Sequence, residues 1–316
     1  MRAALIKAYG EPPEVVTAER PEPAEGEELV AVEVAGLNPV DLAIASGKFD
    51  AGRPSLPYVA GLEGIGRRAG GDLVWFDGAI APSGSFAEHT LIGAGSGIAV
   101  PDGIEPGQAI AFGIAGMAAW LSLEWRGRIE PGETVLVLGA SGAVGQIAIQ
   151  AARLLGAGRV VGAARSDAGR AKVAALGADA VVGTGGPADG PGDLAEALLE
   201  ATDGGADLVI DCLWGDPAVA AVEAIKPTGR LVQVGNSASR DATIVAGRLR
   251  GFSIDIRGHR NVWAPAPVAA AAFRRMCGLA VSGELQIEVE VIPLERAAEA
   301  WGRQAESPGK KLALGP

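Results

Sequence analysis

Two textures of hydrophobic patterning divide the chain. Up to about residue 110, apolar positions come in short runs, several of them alternating: "RAALIKAY", "ELVAVEVAGL", "DLVWF" and "FAEHTLI". Alternation at period two marks a strand with one buried face, and turns such as "RPEPAEGEE" and "RRAGGD" separate the runs. The pattern predicts a mostly antiparallel β region. "QAIAFGIAGMAAWLSLEW" then has the length and alanine content of a helix, and "GRIEPGE" closes it with a Pro-Gly turn.

Beyond that turn, strand-length and helix-length runs alternate. "TVLVLGA", "RVVGAAR", "DAVVGT", "ADLVIDCL" and "RLVQVG" read as strands, with "LRGFSIDIRG" a candidate sixth. "AVGQIAIQAARLLGA", "DAGRAKVAALGA", "GDLAEALLEATDG" and "DPAVAAVEAIKPTG" read as the intervening helices. Continuously apolar strands joined by helices imply a parallel sheet covered on both faces. The fold class is therefore α/β: a β-rich domain plus a doubly wound, Rossmann-type domain. The last 55 or so residues return to strand and helix in "ELQIEVEVIPLERAAEAWGRQ" and "GKKLALGP".

Charge narrows the partners. A net charge of −11 argues against nucleic acid, whose phosphates need a basic face. No apolar run reaches the roughly 18 residues of a membrane span, and "MRAALIKAYGEPPEVV" lacks the apolar core of a signal peptide. A cytoplasmic protein with no membrane partner is expected. Two cysteines, Cys212 and Cys277, and two histidines, His89 and His259, exclude a four-cysteine zinc site. No metal is expected, and the cysteines read as small buried hydrophobes.

"TVLVLGASGAVGQIAIQ" carries the most specific chemistry. Gly139, Gly142 and Gly145 lie three apart, directly after a strand and directly before a helix. Such a turn brings the backbone of Ser141, Ala143 and Val144 to a pyrophosphate at the positive end of the helix dipole. About 20 residues on, a dinucleotide fold sets the residue that reads the ribose. Here that position is Arg165, followed by Ser166, with Arg170 one turn later. A guanidinium and a hydroxyl welcome a 2′-phosphate, so the cofactor expected is NADP(H), although Asp167 lies close by. Gly235 and Asn236, after "RLVQVG", fall at the carboxyl end of the sheet, where the nicotinamide half belongs.

Three segments carry a resemblance over nearly the whole chain: "GLNPVDL" (36–42), "GRIEPGETVLVLGASGAVG" (127–145) and "LGAD" (176–179). With the closing "PLERAAEAW" and "GKKLAL", the chain resembles the medium-chain dehydrogenase/reductase superfamily, in its zinc-free quinone oxidoreductase-like branch. Zinc-dependent members have a cysteine where this chain has Asn38, and a histidine before the glutamate of Gly61-Leu62-Glu63. The resemblance implies a GroES-like catalytic domain from 1–113 and 262–316, and a Rossmann domain from 114–261. It implies NADPH in the cleft between them, giving hydride to a quinone or an α,β-unsaturated carbonyl. It also implies a homodimer through the Rossmann edge strand, here "GFSIDI". Departures lie at Phe49, where relatives often carry tyrosine, at Gly116-Met117, and in the shortened "GIGRRAGGDLVWF".

The site residues carry alternatives. Asn38 is either a turn former before Pro39 or a donor to substrate or nicotinamide. Asp41 is either the N-cap of "LAIASGKF" or an organiser of Asn38 and a ribose hydroxyl. Glu63 reads as a buried hydrogen-bonding remnant of a metal site. His259 is the candidate imidazole proton donor, with Tyr58 a second candidate and solvent the default. Two other readings stay open: a pathway-specific enoyl or ketone reductase, and a non-catalytic NADPH-binding sensor.

Overall fold

The computed structural model describes residues 1–49, 52–185 and 191–316, with no account of the side chains of 191 and 192. The chain forms two units, one from Met1–Ala115 and Phe273–Pro316, the other from Gly116–Ala272. These joins lie after residues 115 and 272, where the sequence places them after 113 and 261; the second falls inside the helix Ala266–Val281.

The first unit is β-rich. Its main sheet centres on Glu27–Leu37, an 11-residue strand paired antiparallel with Glu63–Arg68, His89–Gly93 and Lys311–Gly315. Two registers place the site: Gly36 faces Glu63, and Leu37 faces Leu312. Both bring chemistry to the carboxyl end of one strand. A smaller sheet pairs Arg2–Ile6 with Glu14–Thr17 and Tyr58–Val59. The core between them holds Ile6, Leu37, Phe76, Phe86, Ile92 and Trp301, with Phe86 and Trp301 meeting edge to face at 6.5 Å.

The second unit is a six-stranded parallel sheet. Its strands are β1 Thr134–Leu138, β2 Arg159–Ala164, β3 Ala180–Gly183, β4 Ala206–Asp211, β5 Ile225–Gln233 and β6 Asp255–Gly258. They stand in the spatial order 3-2-1-4-5-6, and every pairing is parallel. All five residues of β1 are buried, as a central strand covered on both faces requires.

Two sequence expectations are corrected here. "DPAVAAVEAIKPTG" is not helical throughout: its helix stops at Glu223 and β5 begins at Ile225. Pro227 and Gly229 mimic a helix stop but sit in the irregular opening stretch of that strand, Pro227 exposed and Gly229 buried. The edge strand is likewise shorter than "GFSIDI", because Ala246–Phe252 is helical and β6 starts only at Asp255. The run Pro106–Gly127 does have the length and apolarity to cross a membrane, but 72% of its apolar window is buried, as in a core helix.

Candidate active site

In unit 2, β1 ends at Leu138 and the turn Gly139–Gly142 leads into the helix Ala143–Leu154. A Cβ on Gly145 would run into the backbone of Gly139 and Ala140, so glycine alone lets the helix start pack on the turn. Gly142 stands at the N-cap with no side chain to satisfy the helix start. The N–H groups of Ser141, Ala143 and Val144 find no acceptor among the described residues, and all three residues are half-exposed. Gln146 Nε2 donates to Ser141 O at 2.6 Å and pins the turn. The result is a set of fixed, uncommitted donors at the positive end of a dipole, which suits an anion.

Arg165 is the first residue after β2. Its side chain is exposed and forms no hydrogen bond or ion pair among the described residues. Ser166 is the N-cap of the helix Asp167–Ala175, its hydroxyl accepting from Gly169 N at 3.1 Å. That leaves its O–H free to donate. Arg170 is spent differently, donating to Arg165 O at 2.8 Å and pairing with Asp167. It braces the loop. Asp167, the acid that complicated the reading of the ribose end, points its side chain to solvent.

Gly235 follows β5, and its N–H donates to Asp211 O at 3.1 Å; Asn236 is the next residue. Asp211, at the carboxyl end of β4, has no exposed surface. Its Oδ1 accepts from Leu213 N (2.8 Å) and Trp214 N (3.0 Å), while Oδ2 has no partner among the described residues. Burial pushes its carboxyl up to about 6. Sequence reasoning missed Asp211, although a lone acid ending an apolar strand is a readable signal.

His259 follows β6. It is only 6% exposed, its Nε2 lies 3.1 Å from Asn261 Oδ1, and its ring meets Trp125 edge to face at 6.0 Å. Burial lowers its pKa and keeps the ring neutral. A sealed, neutral imidazole is poorly suited to the proton-donor role the sequence offered it.

In unit 1, Asn38 ends the central strand and becomes the N-cap of the helix Pro39–Ala45, with Pro39 at the first helical position. Asp41 is therefore not the N-cap. It sits at the third helical position and turns back, accepting from Asn38 N at 2.8 Å and from Leu62 N at 3.1 Å. Burial nevertheless wins over these two hydrogen bonds and pushes its carboxyl up to about 7.

Asn38 is fully engaged. Its Nδ2 donates to Gly36 O (3.3 Å) and Glu63 Oε1 (2.8 Å), and its Oδ1 accepts from Lys311 Nζ at 2.6 Å. Lys311 also donates to Glu63 Oε1 (2.7 Å) and Leu37 O (3.3 Å), which uses all three of its donors. Glu63 Oε2 accepts from Ile114 N (2.7 Å) and Trp75 Nε1 (3.1 Å). A Cβ on Gly113 would strike both that carboxylate and the Trp75 ring, so glycine opens the space. Lys311 opens the last strand in "KKLAL" and passed unremarked in the sequence. It places a buried ammonium beside the carboxylate that a metal-site architecture would use.

Among the described residues, no three His, Cys, Asp or Glu side chains gather where they could hold a metal. A cavity of about 350 Å³ lies within unit 1, walled by Asp41, Ile44, Phe49, Tyr58, Leu62 and Ala79, with Arg53 among its lining.

Residues 143–264 match the protein family described as zinc-binding dehydrogenase, a segment that lies in unit 2 and excludes Asn38 and Glu63. The quinone oxidoreductase of Thermus thermophilus, solved alone and with NADPH, matches over 100% of both chains with 28% identity and a TM-score of 0.80. The chain belongs to the medium-chain dehydrogenase/reductase superfamily. Members of this superfamily use NAD(P), and the uncommitted glycine turn fits the pyrophosphate of such a dinucleotide. Among curated superfamily relatives, the quinone oxidoreductase of Pongo abelii is 34% identical over 57% of this chain and 58% of that protein. A phenolphthiocerol/phthiocerol polyketide synthase of Mycobacterium tuberculosis is 32% identical over 65% of this chain and 9% of that protein. The chain thus spans less than two-thirds of the length of either curated relative.

Proposed function

We propose that this chain is an NADP(H)-dependent oxidoreductase that reduces a quinone or an α,β-unsaturated carbonyl without a metal. The observation that carries the reading is the conjunction of an uncommitted glycine turn with an unpaired arginine at the end of β2. When bound, NADPH supplies the hydride. The N–H groups of Ser141, Ala143 and Val144 hold the pyrophosphate, and Gly139, Gly142 and Gly145 give the backbone its close approach. Arg165 and the Ser166 hydroxyl hold the 2′-phosphate by charge-assisted hydrogen bonds, with Arg170 bracing them. Gly235 and Asn236 line the nicotinamide half.

Asn38 and Asp41 act as positioning residues. Their polar groups are committed to Glu63, Lys311 and the Leu62 backbone, so they fix the shape of the acceptor cavity. With a buried, neutral His259, solvent supplies the proton. The open edge of β6, with Ile256 37% exposed and Trp263 75% exposed nearby, supports pairing with a second copy.

The test is NADPH oxidation by 1,4-benzoquinone, 1,4-naphthoquinone and methyl vinyl ketone, read by loss of NADPH absorbance and by product mass. Turnover with a quinone and with the enone is expected. Micromolar NADPH binding with no turnover by any acceptor would leave a binding protein and defeat the enzyme reading. The likeness to a polyketide synthase favours a second reading, a pathway-specific enoyl or ketone reductase. Saturation of the enone with no reduction of either quinone would select it.

A further inference from the structure

Phe49 and Tyr58 wall the same cavity, and only one of them carries a hydroxyl. Tyr58 sits in the two-residue strand Tyr58–Val59, paired with Arg2–Ile6, so its ring direction is set by sheet register: Ile6 faces Tyr58. The residue is 6% exposed, yet its hydroxyl makes no hydrogen bond among the described residues. That oxygen is not among the sealed atoms left without a partner, so it stays open to a ligand. Tyr58 lies on the wall of a void of about 350 Å³ whose other walls include Ile44, Phe49, Leu62 and Ala79. Asp41, Arg53 and Ser83 also reach its lining, and a largely apolar pocket with a few polar groups is the ordinary form of a small-molecule site.

We infer that the Tyr58 hydroxyl is the hydrogen-bond donor to the carbonyl oxygen of the acceptor, seated in this cavity against Phe49. The inference rests on the reductase reading above and names the residue that orients and activates its substrate. Hydride and its electron pair pass from the reduced nicotinamide to the acceptor, the nicotinamide being oxidised and the acceptor reduced. Negative charge then appears on the acceptor oxygen, where the Tyr58 O–H stabilises it. One proton from water completes the hydroquinone, or the saturated ketone when the acceptor is an enone.

Two features suit Tyr58 to that task. Burial first, then the charge of Asp41, pushes its phenol up to about 12, so it stays a donor through the neutral range. Its ring is held by the sheet, so little ordering is needed when charge develops. Phe49 offers only an apolar face to the same ligand.

The test is Tyr58→Phe, which removes one oxygen with no protein partner. Its melting temperature should stay within about 2 °C of wild type, since no hydrogen bond is lost on folding. Its kcat/KM for 1,4-naphthoquinone with NADPH should fall about 100-fold, the scale of a lost oxyanion donor. NADPH affinity, read by fluorescence, should stay within about twofold, because the cofactor residues lie elsewhere. Phe49→Tyr in that background should restore about tenfold of the loss by returning a hydroxyl to the cavity. A kcat/KM within about threefold of wild type would overturn the inference, as would a large drop in melting temperature, which would show the hydroxyl bonded within the protein. Should the wild-type protein turn over no acceptor, the reductase reading fails by itself. Direct titration with 1,4-naphthoquinone still decides Tyr58: about tenfold weaker binding by the variant supports it, and equal binding refutes it.

Discussion

Among the described residues, the N–H groups of Ser141, Ala143 and Val144 at the glycine turn of unit 2 have no acceptor, and the Arg165 side chain has no partner. In unit 1, every polar atom of Asn38 and both oxygens of Glu63 are taken by Lys311, Trp75 and the backbone. Both regions are polar and both occupy motif positions, but their polar groups are used in opposite ways. Buried groups that satisfy one another hold a shape; groups left unsatisfied are prepared for something that arrives. By that criterion the proposed ligand side comprises the turn, Arg165 and the Tyr58 hydroxyl, with Asp211 Oδ2 another open group, and Asn38 belongs with the scaffold.

The largest test of this contrast is Lys311→Met. Lys311 is 2% exposed and Glu63 fully buried, so removing the ammonium strands a carboxylate in the core. Breaking a buried pair from one side costs about 3–5 kcal/mol, and urea unfolding should show a loss of that size. Adding Glu63→Gln should cost clearly less than the two single losses summed, with a coupling of about 1 kcal/mol or more. Additive losses would mean that the ammonium does not compensate Glu63, and the scaffold account would fail.

How much of this was readable from sequence follows from the range of each interaction. The buried strands β1, β2 and β4 announce themselves because a covered parallel strand needs an apolar run. The start of β5 does not, since Pro227 and Gly229 look like a helix stop and only pairing with β4 reveals a strand. The strand–turn–helix at the glycines and the place of Arg165 just after β2 are legible because the pattern is local, within about 30 residues of chain. Asn38 and Asp41 were legible as residues but not in role. The partner that commits Asn38, Lys311, is 273 residues away, and no spacing rule joins the two.

A middle-sized effect separates the buried carboxyls by pH. Burial holds Asp41 at about 7 in the folded protein, above its ordinary 3.8. The folded state therefore keeps a proton that the unfolded chain has already lost. This term makes stability fall as pH rises from about 4 to about 7, and it is level above that. Asp211, held at about 6, adds the same sign over a lower window. His89 and His259 are both lowered and act in the opposite direction. Comparing wild type with Asp41→Asn cancels the terms the two proteins share. Between pH 5 and 7, wild type should lose about 1 kcal/mol per pH unit more than the variant. Parallel stability curves would show that Asp41 is not buried as a proton-holding acid, and would weaken the picture of a closed polar cluster.

The smallest effect probes the open side of the comparison. Arg165 makes no contact whose loss should destabilise the fold, so Arg165→Ala ought to melt with wild type, within about 0.5 kcal/mol. On the proposed reading it removes one charge-assisted pair with a 2′-phosphate, a group NADPH carries and NADH lacks. NADPH affinity should weaken about tenfold, or 1.4 kcal/mol, while NADH affinity changes less than about twofold. Ser166 keeps one hydroxyl near the phosphate, which limits the loss. Asp167 and Arg170 refine the same experiment. With the Arg165 side chain gone, Arg170 is still held by Asp167 and by the backbone carbonyl of position 165. The discrimination should therefore not recover in Arg165→Ala and should fall further when Arg170 is also changed. Equal losses for the two dinucleotides would place Arg165 away from the ribose, and the open end of β2 would lose its claim to the 2′-phosphate.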